Sequence, residues 1–86
     1  LNVWPSPVID YLAGNSTASE LIGYVQNSAQ ETEAHTYIGL KLRAEGDKDS
    51  AQKHLEWVAQ NGDKRVFEYT VARALKIHDS VVLLVP

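Results

Sequence analysis

A glycine inside a helical pattern, followed at fixed distances by a reversing turn and an alanine, most restricts how this chain can fold. Ala34, Ile38 and Leu42 recur every four residues around Gly39, so they share one face of a helix. A glycine there costs roughly 1 kcal/mol against alanine, which implies that a second helix approaches its backbone. Gly46-Asp47 can then reverse the chain in few residues, and Ala51 opens a second run with Leu55, Val58 and Ala59. Gly39 has no side chain, so the second helix can approach its backbone, and Ala51 fills the facing position with one methyl. Ile38, Leu42 and Leu55 fill the space above and below.

The rest of the chain is punctuated in the same way. Ser6-Pro7 reads as a cap followed by Pro at the first helical position, ahead of Val8, Ile9, Tyr11 and Leu12 and a stop at Gly14. Thr17 and Glu20 have the spacing of a capping box, which opens a helix carrying Leu21, Ile22 and Val25. Ser28 and Glu31 repeat that spacing and open the third helix, expected to run to about Glu45. Asp47 or Asp49 caps the fourth, which Asn61-Gly62 ends. Asp63 is expected to cap a fifth, with Phe67, Val71, Ala74 and Leu75 on its buried side. The chain thus reads as all-α with about five helices. It forms one domain over residues 1–78 with the hairpin at about 29–61, and a tail over 79–86. The apolar tail Val81–Val85 reads either as an unstructured end or as a segment that packs on a neighbouring chain.

The third and fourth helices resemble the tetratricopeptide repeat, on the joint spacing of Gly39, Gly46, Asp47, Asp49 and Ala51. Four departures stand out. His35 occupies a place where a large aromatic commonly opens the repeat, and Lys48 another common aromatic position. Val58 stands where alanine is common, and Asp63 where proline is usual. The segment from Trp4 to Gly14 with Ser19-Glu20-Leu21, and Val66-Phe67-Glu68-Tyr69, are similar to the flanks of the last repeat in bacterial tetratricopeptide lipoproteins of the lipoprotein-I type. The resemblance covers about Trp4 to Lys76. It implies right-handed helix hairpins stacked as an α-α superhelix, and a scaffold that brings envelope enzymes or proteases together, often as a homodimer.

In such repeats the first helix of each pair lines a concave surface where ligands lie. Helical spacing then selects Glu33, Thr36, Leu40 and Arg43 as the partner-binding stripe, with Leu40 against an apolar side chain and Arg43 on a carboxylate or carbonyl. The plainer alternative has Leu40 packed on the second helix and Arg43 solvated. A single repeat cannot bury its own edges, so self-association through an outer helix or the Val81–Val85 tail is expected. The expected role is a non-enzymatic interaction or scaffold module that binds a peptide or partner protein. The alternatives are a helical accessory or regulatory domain of a larger enzyme, or a weak nucleic-acid binder.

Composition weighs against other classes. The 86 residues carry eight Lys and Arg against eleven Asp and Glu, for a net charge of -3, with no basic run of the kind nucleic-acid binders concentrate on one face. There is no cysteine, hence no thiolate metal site. His35, His54 and His78 lie on three different segments without the spacing of a helical zinc motif. Glu31, Glu33, Asp47 and Asp49 sit at helix starts, where the helix dipole favours negative charge. No nucleophile elbow or phosphate loop is present, so no catalytic residue, cofactor or metal is expected. No stretch approaches the ~20 apolar residues of a membrane span. The chain opens Leu1-Asn2-Val3-Trp4 and contains no methionine, and is expected to be a processed chain or an excised part of something longer.

Overall fold

The computed structural model describes the backbone of residues 3–84 and the side chains of residues 3–76. The fold is all-α, with five helices and no strand among the described residues: α1 (Ser6–Leu12), α2 (Ala18–Gly23), α3 (Ser28–Ala44), α4 (Lys48–Asn61) and α5 (Phe67–Leu84). Local chemistry sets most of the boundaries. Thr17 Oγ1 accepts from Glu20 N–H while the Glu20 carboxylate accepts from Thr17 N–H, so the capping box forms as the sequence predicts. Asp47 caps α4 through Ser50 N–H. Gly14 and Gly46 take φ of 84° and 90°, the left-handed region that ends a helix at low cost to glycine alone.

The starts of α1 and α3 differ from expectation. Asn27, not Ser28, caps α3, and its side chain accepts from Gln30 N–H. That frees Ser28 Oγ to donate to Asp63 Oδ2 at 3.2 Å. Ser6 is already helical and makes no side-chain cap, because α1 begins at it with Pro7 in the first turn.

Helix α3 is the spine. It packs most extensively on α4, and α1, α2 and α5 also contact it. Val8, Tyr11, Leu21, Ala34 and Ile38 form one core cluster between α1, α2 and α3. Leu55, Val58, Tyr69 and Ala72 form a second between α4 and α5. The close crossing expected at Gly39 is present. A Cβ there would meet Leu55 Cδ2 at 2.8 Å, Leu55 Cγ at 2.9 Å and the Ala51 carbonyl oxygen at 3.3 Å.

Thr32 and Thr36 of α3 are both fully buried. Their hydroxyls donate at 2.7 Å to the carbonyls of Ser28 and Thr32, one turn back. Thr32 Oγ1 also accepts from Asp63 N–H at 2.7 Å, tying the α4–α5 connection to the start of α3. Lys41 Nζ donates to the Tyr11 carbonyl at 2.8 Å and lies 4.3 Å above the Tyr11 ring, fixing the end of α1 on α3.

Helix α5 is rotated from the expected phase. Among its described side chains Tyr69 and Ala72 are the buried ones, while Phe67 is 76% exposed and Ala74 is also exposed. The burying rows thus run through Val66, Tyr69, Ala72 and Leu75. Asp63 lies before the helix, and its carboxylate accepts instead from the backbone N–H and guanidinium of Arg65. Those bonds, with the one from Ser28, hold the Asp63 carboxyl well below the usual carboxylate range. The segment read as a separate tail from residue 79 continues α5 as far as Leu84, and Val85 and Pro86 lie outside the described residues. No helix among the described residues is long and apolar enough to cross a membrane.

Candidate functional site

The surface along α1, α3 and the start of α5 forms a groove of about 310 Å³. Pro5, Val8, Ile9 and Leu12 supply an apolar wall, Tyr37 lies on α3, and Glu33 and Glu68 add two carboxylates. Ile9 and Leu12 are 60% and 44% exposed. Helix spacing explains the arrangement on α3, since Glu33 and Tyr37 are one turn apart and share a face. Tyr37 O–H donates to Glu68 Oε2 at 2.9 Å, and Trp4 Nε1–H donates to Glu33 Oε2 at 2.9 Å. Burial raises the Tyr37 pKa, and its bond to Glu68 and the negative charges of Glu68 and Glu33 raise it further. The phenol therefore stays protonated and acts as a hydrogen-bond donor, not as a base.

Of the four residues expected on the binding stripe, Glu33 lines this groove. Thr36 does not belong to any surface. It is fully buried with its hydroxyl committed to the Thr32 carbonyl. The reason is that α3 is covered on more than one side, so its outward stripe is narrower than helical spacing alone implies. Leu40 and Arg43 are half-buried further along α3. Tyr37 and Glu68 were not selected from the sequence. The Glu33–Tyr37 spacing was a usable signal for the first, but Glu68 enters only through the docking of α5.

A second polar cluster lies between α3 and α4. His35 Nδ1 and His54 Nδ1 are 2.9 Å apart, and the Trp57 ring packs against His35 at a tilt of 31° with centroids 4.3 Å apart. The His35 and His54 ring centres are 5.2 Å apart, which is the nitrogen separation extended by the two ring radii. The nitrogens therefore point straight at each other, as in a shared N–H···N bond, and not toward a common third point as metal ligands would. No three His, Asp or Glu side chains among the described residues converge as a ligand set.

A wider depression of about 540 Å³ borders Val3, Trp4, Tyr24 and Gln30 near the end of α2. It contains no charged side chain in its lining, so it offers less for selecting a ligand than the α1–α3–α5 groove. No protein-family profile, curated protein or solved structure matches this chain.

Proposed function

We propose that the chain is a non-enzymatic interaction module of tetratricopeptide-like helix hairpins, which holds a peptide or a segment of a partner protein in the α1–α3–α5 groove. The observation that carries this reading is the groove itself, an exposed aliphatic wall facing polar groups already fixed by hydrogen bonds. Such a mix of apolar contact and a few oriented polar atoms is what small binding clefts use to combine affinity with selectivity. The hairpin reading is supported by the close approach of Gly39 to Ala51 and Leu55. In that reading α3 and α5 are the first helices of successive pairs, and the groove lies on the face they share. Two carboxylates in the groove weigh against a nucleic-acid ligand, whose phosphates they would repel.

Selection from a displayed library of random peptides tests the reading. The wild-type chain should enrich recurring sequences that lose affinity about tenfold or more, equivalent to about 1.4 kcal/mol, on Ile9→Ser/Leu12→Ser. Failure to enrich any sequence, or equal binding by that variant, would sink the proposal.

A further inference from the structure

Glu33 and Glu68 differ from ordinary surface carboxylates. Among the described residues, each is held through its Oε2 by a neutral aromatic donor, Trp4 or Tyr37. These bonds orient the charge without neutralising it, and in each the Oε1 atom takes no part in them. Beside them, Pro5, Val8, Ile9 and Leu12 offer apolar contact. A ligand must bring a cation to the carboxylates and hydrocarbon to the wall.

The space is about 310 Å³, at the small end of binding clefts, which run about 300–1,000 Å³. It has room for one or two side chains and not for a whole docked helix. Arginine pairs best with both oxygens of one carboxylate, and at each glutamate one of those oxygens already accepts from Trp4 or Tyr37, which leaves fewer lone pairs for the fork than a free carboxylate offers. A lysine ammonium is a point charge that needs only one oxygen, and its stem can lie along the aliphatic wall.

From this charge and shape complementarity we infer that the groove selects a partner-protein segment carrying lysine next to an aliphatic residue. The inference rests on the interaction-module reading and adds the chemistry of the occupant.

The test is fluorescence anisotropy with fluorescein-labelled peptides of alternating leucine and lysine, leucine and arginine, leucine and glutamine, or leucine and glutamate, at one moderate salt concentration. Affinity should fall in the order lysine, arginine, glutamine, glutamate. Glu33→Gln/Glu68→Gln keeps an acceptor for Trp4 and Tyr37, and should weaken the lysine peptide by about tenfold or more. Circular dichroism checks that the variant keeps its helices. Equal binding of the glutamate peptide, or no loss in the double variant, overturns the lysine preference. If all four peptides bind equally and Ile9→Ser/Leu12→Ser abolishes it, the groove is a docking site without charge selection and only this inference fails. If none binds, the interaction-module reading of the groove fails with it. Light scattering covers the remaining occupant: a dimer broken by Ile9→Ser/Leu12→Ser would show that a second copy fills the groove, which also overturns the inference.

Discussion

His35 and His54 face each other nitrogen to nitrogen across the α3–α4 crossing, 2.9 Å apart, with the Trp57 ring packed against His35. The contact has room for one proton. One Nδ1–H donates and the other Nδ1 accepts, while a second proton would set two N–H groups against each other.

Acid should therefore loosen the α3–α4 hairpin. Burial, then the charge of His54, hold the His35 pKa down at about 4 against its ordinary 6.5, and burial lowers His54 as well. The unfolded chain regains the ordinary value, so it binds more protons than the folded chain as pH falls from 6.5 to about 4. The stability from neutral His35 is complete above the upper value and is lost on descending to the lower one. Its size is about 1–2 kcal/mol, after allowing for solvent screening at this half-buried site. Urea midpoints of the wild type at about pH 7.5 and about pH 4.5 should differ more than those of His35→Gln/His54→Gln. Equal differences would mean that the pair does not sense acid.

Gly39→Ala should destabilise the fold despite a better helix former. The added methyl would lie 2.8 Å from Leu55 Cδ2 and 2.9 Å from Cγ, so the whole leucine must shift. Overpacking costs about 1–3 kcal/mol, against about 1 kcal/mol gained in helix propensity, leaving a net loss of about 1 kcal/mol. Gly39→Ala/Leu55→Ala should lose less than the sum of the single changes, since the second removes the obstruction. A more stable Gly39→Ala in chemical denaturation would contradict the close crossing.

The parts of the fold legible in the sequence are those set by contacts near in sequence or by residue size. Thr17 and Glu20 announce α2, Gly14 and Gly46 end helices with positive φ, and Gly39, Ala51 and Leu55 announce the crossing. The phase of α5 was not legible, because Phe67 and Tyr69 are both aromatic and only docking on α4 decides which is buried. Thr36 falls on the outward stripe by helical spacing and is nevertheless buried, because α3 is enclosed by helices on separate sides, and buried threonines satisfy themselves on their own helix. The groove needed Glu68 placed beside Tyr37, 31 residues apart, and no local pattern carries that register.

The same substitution at the two buried threonines should give unequal results. Thr32→Val removes the acceptor of Asp63 N–H, and a buried donor left without a partner costs about 1–3 kcal/mol. Thr36 only donates to a carbonyl of its own helix. Thr36→Val is therefore expected within about 1 kcal/mol of the wild type. Thermal denaturation of the two variants decides it, and equal losses would remove the Thr32–Asp63 tie as the cause.

Lys41 should control the groove without touching it. Its ammonium binds the Tyr11 carbonyl and lies over the Tyr11 ring, and α1 carries the groove residues Val8, Ile9 and Leu12. A seven-residue helix is too short to be stable in isolation, so it depends on such attachments. In Lys41→Gln the amide group is too short to reach both the carbonyl and the ring. Hydrogen exchange in α1 should then speed up about tenfold, the equivalent of about 1.4 kcal/mol of local stability, while α4 keeps its protection. Peptide affinity should drop alongside, because the aliphatic wall is no longer held in place before binding. Faster exchange in α4 to the same degree would show that Lys41 supports the fold as a whole and not the placement of α1.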